Sequence, residues 1–148
     1  MSIEVDIQTR QAVEYLVREL PRVGQDKAIK EGLREGAKIF EAIGRANFAM
    51  RITSRTGETM RSFATRLANW RGNRNEPYSV AGLRWPEGYK AHWLDLGTEK
   101  RYTRKGKYTG YLKPSNFFQD AREEGERPAM DAIIDGVRQA VARLNSRR

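Results

Sequence analysis

No cysteine occurs in the 148 residues, and His92 is the only histidine. The first absence removes disulfides and thiolate metal sites, and it fits a reducing compartment. The second removes multi-histidine metal sites and histidine-dyad chemistry. No apolar run approaches the roughly 20 residues of a membrane-spanning helix. The N-terminus, Met1 to Arg10, shows no basic start followed by an apolar stretch, so no secretory signal is read and synthesis in the cytoplasm is expected. There is no phosphate loop either, because Gly57-Glu58-Thr59-Met60-Arg61-Ser62 lacks the glycine–lysine spacing. Ser54 and Ser62 have no assignable base, and Asp95 and Glu99 have no assignable partner. No metal or cofactor is expected.

What the chain has in excess is positive charge, and the excess is local. The formal net charge is +9. Residues 1–50 carry eight Lys/Arg and eight Asp/Glu, and residues 114–148 carry six and six. Residues 51–113 carry fourteen and five, so the whole surplus lies in the middle of the chain. Such a field attracts phosphate or an acidic protein surface; the plain alternative is a solubility surface without a partner. The densest stretch is Glu99 to Lys113, which holds six cations, three tyrosines and two glycines.

Hydrophobic periodicity divides the chain into helix, strand and helix. Val13, Leu16, Val17 and Leu20 follow helical spacing, with Thr9 or Asp6 as N-cap and Pro21 to Gly24 as the stop. A longer helix is expected from about Gln25 to Ala49, its face marked by Ile29, Leu33, Gly36, Phe40, Ile43 and Asn47, widened by Ile39 and Phe48. Gly32 and Gly36, one turn apart, either admit another backbone or are simply tolerated. Thr56-Gly57 signals a turn. Phe63 to Trp70 and Tyr78 to Trp85 read as short strands around a hairpin loop at Arg71 to Pro77, and Pro86 and Gly88 end the second. Tyr89 to Leu96 suits one or two helical turns closed by Gly97 in the left-handed region. Ser115 is a candidate cap for a further turn, and Pro128 a first-turn proline of a last helix striped by Met130, Ile133, Ile134, Val137, Val141 and Leu144. A break or bend is expected near Gly125 to Pro128, in place of one straight rod. The fold class is α+β: a long N-terminal helix and a C-terminal helix packed on a small antiparallel sheet. One domain covers residues 1–148. Its helical N-terminal segment is 1–50, its basic, β-rich middle is 51–113 with an extended loop 99–113, and its helical C-terminal segment is 114–148.

Two functional classes follow from the residues alone. Six cations interleaved with Tyr102, Tyr108 and Tyr111 suit a nucleic-acid-binding domain, with phosphate contacts from Lys/Arg and stacking from the rings. A metal-free ribonuclease of the basic toxin type would draw on Tyr102, Arg104, Lys105, Tyr108 and His92, although those residue types are common. A lone histidine beside Trp93 is more often structural.

Three spaced segments point to a third class. Thr56-Gly57-Glu58-Thr59-Met60-Arg61-Ser62 resembles a pattern of Thr-Gly, two residues, an apolar residue and a downstream Ser. Ala91-His92-Trp93-Leu94-Asp95-Leu96-Gly97-Thr98 is similar to a pattern of small, aromatic, apolar, acid, apolar, Gly-Thr. Lys113-Pro114-Ser115-Asn116-Phe117-Phe118-Gln119-Asp120-Ala121 resembles Pro, a gap, Phe, and an Ala leading into a C-terminal helix. In this order after a long helix, over roughly residues 25–144, they resemble the tail-completion or head–tail joining family of tailed bacteriophages. Asp95 and Met60 stand where that family more often has Glu and Leu, Gln119 stands where a further apolar residue is expected, and the stretch from Thr98 to Pro114 is longer and more basic than the family's connection. The resemblance implies a non-enzymatic virion protein forming a hexameric ring in the neck, between the head connector and the tail tube or its terminator, with DNA in the lumen. It makes Thr56, Gly57, Trp93, Asp95, Gly97, Thr98, Pro114, Phe117 and Phe118 structural motif positions. Lys100, Arg101, Arg104, Lys105, Lys107 and Lys113 would face an acidic neighbour or the DNA channel, and the loop is expected to be mobile until a partner orders it. Trp93, Leu94 and Leu96 are expected to pack on Phe117 or Phe118 and on Ile133, Val137 and Val141, and Gly97 to have a positive φ.

Overall fold

The computed structural model describes residues 5–53, 57–69 and 77–147. The motif residue Thr56 and the hairpin loop at Arg71 to Glu76 lie outside the described residues. The elements in chain order are α1 (Ile7–Val17), α2 (Arg22–Arg51), α3 (Glu58–Arg61), β1 (Phe63–Asn69), β2 (Pro77–Leu83), α4 (Gly88–Leu96), β3 (Arg101–Tyr102), β4 (Tyr108–Gly110) and α5 (Phe117–Asn145). The class is α+β with a helical majority, as expected. The sheet differs from expectation in being two separate two-stranded ladders, β1–β2 and β3–β4.

The two long helices α2 and α5 pack antiparallel along most of their length, and small residues set how closely. A Cβ built on Gly32 would lie 2.5 Å from Val137 Cγ2 and 2.7 Å from the Ile133 carbonyl oxygen. One on Gly136 would lie 3.0 Å from the Gly32 Cα. Backbone therefore meets backbone here, and the cost of about 1 kcal/mol per helical glycine is offset by the dispersion attraction of the close-packed helices. Close approach inside the subunit is thus the role of Gly32 and Gly36. Buried Ala28, Ala37, Ala121, Ala129 and Ala140 continue the interface.

Several boundaries move for identifiable reasons. Asp6, not Thr9, caps α1: its Oδ1 accepts the Thr9 N–H at 2.7 Å. Pro21 occupies the N-cap position of α2, so Arg22, Val23 and Gly24 begin the helix instead of separating two. Most notably, α5 runs through Gly125 and Pro128 without ending. Proline inside a helix costs about 3 kcal/mol. Pro128 itself is exposed, while Ala121, Gly125, Ala129 and Ile133 stay buried. Packing of one continuous face on α2 outweighs the missing hydrogen bond.

The core has two centres. Val17, Leu20, Ala28, Val137 and Ala140 join α1, α2 and α5 at one end, with Val13, Leu16, Ile29, Val141 and Leu144 around them. Phe48, Phe63 and Phe117 form the other, with Ile52, Met60, Leu83, Leu94 and Phe118 around them. The three central rings meet edge to face at centroid distances of 5.2–6.1 Å. The expectation that Trp93, Leu94 and Leu96 share one core with Ile133, Val137 and Val141 is corrected. Of the first three only Leu94 joins the phenylalanines; Trp93 and Leu96 are 42% and 61% exposed. Val137 and Val141 belong to the other centre.

Gly32→Ala is expected to destabilise the fold by about 1–3 kcal/mol through overpacking, because its nearest obstacles include backbone. Gly82→Ala, with open space at its Cβ, should be close to neutral. Urea unfolding of the two variants beside the parent checks this.

Candidate interaction surface

The three motif segments converge at the phenylalanine end of the molecule. In the first, Gly57 has φ 68° and starts α3, and Met60 packs on the phenylalanine cluster. Its Thr59 hydroxyl donates to Glu87 Oε2 at 2.7 Å, just before α4. That hydrogen bond, then the one from Lys90, holds the Glu87 carboxyl below its usual range. Lys90 is raised in return, chiefly by its hydrogen bond to Glu87. The Ser62 carbonyl accepts the Arg84 N–H at 2.8 Å, closing the base of the β1–β2 hairpin.

The second and third segments are joined through Asp95, which is buried. Its Oδ1 accepts the Phe118 N–H at 2.8 Å. Its carbonyl accepts the N–H groups of Ser115 at 3.0 Å and Asn116 at 2.9 Å. A helix leaves its first N–H groups without internal partners. Asn116, the N-cap of α5, is left-handed at φ 51° and provides no side-chain cap. Asp95 therefore caps α5 from another helix. Ser115, expected as that cap, instead donates its hydroxyl to the Leu94 carbonyl. Arg51 adds a tie from the end of α2 to the Ser115 carbonyl and to Asp120.

Between these segments the chain leaves the body and returns. Gly97 ends α4 with φ 76° and ψ −173°. The positive φ is as expected, but the ψ is not that of the left-handed helical region. A Cβ at Gly97 would lie 2.7 Å from the Leu112 carbonyl oxygen and 2.8 Å from the Pro114 nitrogen. The outgoing and returning strands pinch at this point. Thr98 fastens them: its N–H donates to the Leu112 carbonyl, and its Oγ1 accepts the Leu112 N–H, both at 2.9 Å.

Beyond the pinch, residues 99–113 form a hairpin arm with a short ladder where an extended loop was expected. Arg101 pairs with Gly110 and Tyr102 with Tyr108, with a register shift between. The turn is closed by Thr103 N–H to the Lys107 carbonyl at 2.8 Å and Gly106 N–H to the Thr103 carbonyl at 2.9 Å. The rings of Tyr102 and Tyr108 meet across the ladder in a tilted contact, with centroids 5.5 Å apart. Local hydrogen bonds and one ring pair order the arm without a core. Lys100, Arg101, Arg104, Lys105, Lys107 and Lys113 are all exposed, and among the described residues none forms a salt bridge.

A second surface was not foreseen. Tyr89, Trp93 and Leu96, spaced by four and three, lie on the outer side of α4, and Trp85 continues the row at 82% exposure. Ring centroids are 5.9 Å apart for Trp85–Tyr89 and 5.7 Å for Tyr89–Trp93. The inner face uses Leu94 and Asp95. Both faces of this short helix carry apolar residues, so periodicity could not tell them apart; burial of Asp95 decides. His92 is exposed and meets the Trp93 ring at a tilt, with centroids 4.9 Å apart. The ribonuclease set is therefore split between α4 and the arm. Among the described residues no group of three or more His, Asp or Glu is placed to hold a metal, and no helix is long and apolar enough to cross a membrane.

Asp95→Ala should cost about 0.5–2 kcal/mol, the usual range for a lost cap. It should also speed hydrogen exchange at Phe118 selectively, whereas Asp95→Asn, which keeps an acceptor oxygen, should retain most of the protection. Gly97→Ala should destabilise by about 1–3 kcal/mol through positive φ combined with backbone collision. Gly110→Ala shares the positive φ, at 98°, but meets open space, and should cost less. Thermal unfolding of the pair measures the difference.

Compared with protein-family models, with curated proteins and with solved structures, the chain matches none.

Proposed function

We propose that the protein is a non-enzymatic virion component of a tailed bacteriophage, forming a ring in the neck that joins the head connector to the tail tube. The observation that carries this reading is the way the three motif segments interlock. Met60, Leu94, Phe117 and Phe118 bring the three into one cluster, Asp95 holds the start of α5, and Gly97 and Thr98 pinch the arm between the second and third. Segments that resemble the tail-completion family in sequence order thus make one packed unit with one projecting element. The unit holds an arm at a set place. In the ring, hexameric by that resemblance, each arm reaches an acidic neighbouring protein or the DNA passing through the lumen.

A second reading is favoured by one feature. Exposed Tyr102 and Tyr108, in contact with each other beside six cations, suit nucleic-acid binding by a free domain. The two readings separate on salt and assembly. A free binding domain gives a steep salt slope with DNA or RNA as a monomer or dimer; a neck component joins particles.

Reversing Lys100, Arg104 and Lys107 to Glu together should leave the subunit folded, because the arm contributes nothing to either core centre. It should reduce the yield of joined heads and tails in a complementation assay scored by electron microscopy. Normal joining and DNA retention with the reversed arm would refute the electrostatic role.

A further inference from the structure

We infer that copies of this chain associate by main-chain pairing, the outer edge of β1 in one copy joining the outer edge of β2 in the next. The β1–β2 ladder is regular over seven opposed pairs, from Phe63 opposite Leu83 to Asn69 opposite Pro77. The phase of its hydrogen bonds can be deduced. Ser62 lies opposite Arg84 in the same register, and the Arg84 N–H donates to the Ser62 carbonyl. Opposed residues of an antiparallel pair alternate between bonded and non-bonded. Ala64–Gly82, Arg66–Val80 and Ala68–Tyr78 are therefore the bonded pairs. Phe63, Thr65 and Leu67 on β1, and Ser79, Ala81 and Leu83 on β2, direct their N–H and C=O groups away from the hairpin. Two independent features agree with this phase. The Phe63 carbonyl accepts from Arg45 Nη2 at 3.2 Å, across the outer edge. Pro77, which has no N–H to give, also falls on an outward position.

Both edges are already covered at one end. Arg45 takes the Phe63 end, and the start of α4 sits on the Leu83 carbonyl, 2.6 Å from a Cβ built at Gly88. Thr65 and Leu67 remain on one side, Ser79 and Ala81 on the other. Among the described residues no third strand pairs with either. Natural proteins block such edges with charges, bulges or prolines within the strand. Here β2 contains no charged residue and its one proline, Pro77, stands at its first position, away from Ser79 and Ala81; β1 contains only Arg66, and the ladder has no bulge.

The occupant is a second copy because the two open edges complete each other. In the hairpin's own register, Thr65 faces Ala81 of the partner subunit and Leu67 faces Ser79 of the partner subunit. Each is a reciprocal pair, and the antiparallel order continues through the seam. Side chains stay in phase: Thr65, Leu67, Ser79 and Ala81 lie on the α2 side in every copy, with the Ser79 hydroxyl donating to the Leu33 carbonyl. Pairing β1 with another β1 leaves every β2 edge open, and in the register that sets Thr65 against Leu67 it puts Arg66 opposite Arg66, which is unfavourable. Pairing β2 with β2 leaves every β1 edge open. A head-to-tail seam satisfies both edges and generates a ring or an open helix of copies. The inference needs no phage partner, so it stands or falls separately from the neck assignment.

Charge supplies a discriminating sign. The surplus of positive charge lies in residues 51–113, which include the seam, so copies repel one another and salt should favour assembly. Binding of the arm to DNA or an acidic surface has the opposite dependence. The experiment is light scattering of the full chain across protein and salt concentration, with hydrogen exchange read residue by residue after return to low salt. Growth in mass with salt is expected, with new protection at Thr65, Leu67, Ser79 and Ala81 appearing only on assembly. Arg66 and Val80 should be protected in both states. Thr65→Pro and Ala81→Pro remove only outward N–H groups and should lose the assembled species while keeping the helical circular dichroism. The inference is overturned by a chain that stays monomeric throughout, by assembly without protection of these four amides, or by protection at Ser79 and Ala81 alone. Folded proline variants that assemble like the parent also overturn it. If either variant fails to fold, the exchange pattern of the parent decides.

Discussion

Asp95 holds together what the rest of the surface depends on. Its carboxylate caps a 29-residue helix to which it does not belong, and its carbonyl takes two more N–H groups from the same turn. These bonds fix the end of α4 against the start of α5. Only then can the chain leave at Gly97, run out through residues 99–113 and re-enter at Pro114 within bonding distance of its exit. The start of this helix is partly buried around Phe117, and the cap there comes from protein. The acid in the second motif and the phenylalanines in the third are thus one device, with the acid satisfying the helix whose first residue fills the core.

The division of labour across the molecule follows from charge and packing. The two core centres contain the helices whose charges balance, while the surplus of positive charge falls chiefly on the arm, and otherwise on the β1–β2 hairpin and the residues next to it in sequence. Like charges concentrated on one side would strain a compact core. Here most of them sit on an arm that shares no core with the body and on a two-stranded ladder that touches α2 through one face. The body is stabilised by close backbone approach at Gly32 and Gly136 and by the edge-to-face phenylalanines. The surface is left free to carry charge and exposed rings.

Much of the fold was legible in the sequence, and what was not has physical causes. The long helices, both strands of the first hairpin and the short helix before Gly97 follow from periodicity and turn chemistry. Pro128 misled because proline is a local signal, and the face of α5 that includes Ala121, Gly125, Ala129 and Ile133 is a tertiary one. Trp93 and Leu96 misled because large apolar residues next to a core segment usually join it. Here the buried position on that helix belongs to an acid whose partners lie on the far side of the arm, at Ser115, Asn116 and Phe118. The arm's order was hidden because it comes from backbone pairing between Thr103 and Lys107 and from two tyrosines, with no apolar alternation to announce it. The open strand edges could not be read at all, since they depend on which strands are missing from the sheet. Of the motif positions, Asp95, Gly97, Thr98 and Phe117 proved to be one joint, a relation that spacing alone does not reveal.

The central claim is that this joint positions an arm for a neighbour in a virion neck. Electron cryomicroscopy of tailed particles produced from the genome that encodes the chain tests it most directly. The account predicts a ring of copies between the connector and the tail tube, each with residues 99–113 ordered against an adjoining protein or facing the channel. Particles whose neck is complete without this chain would contradict it.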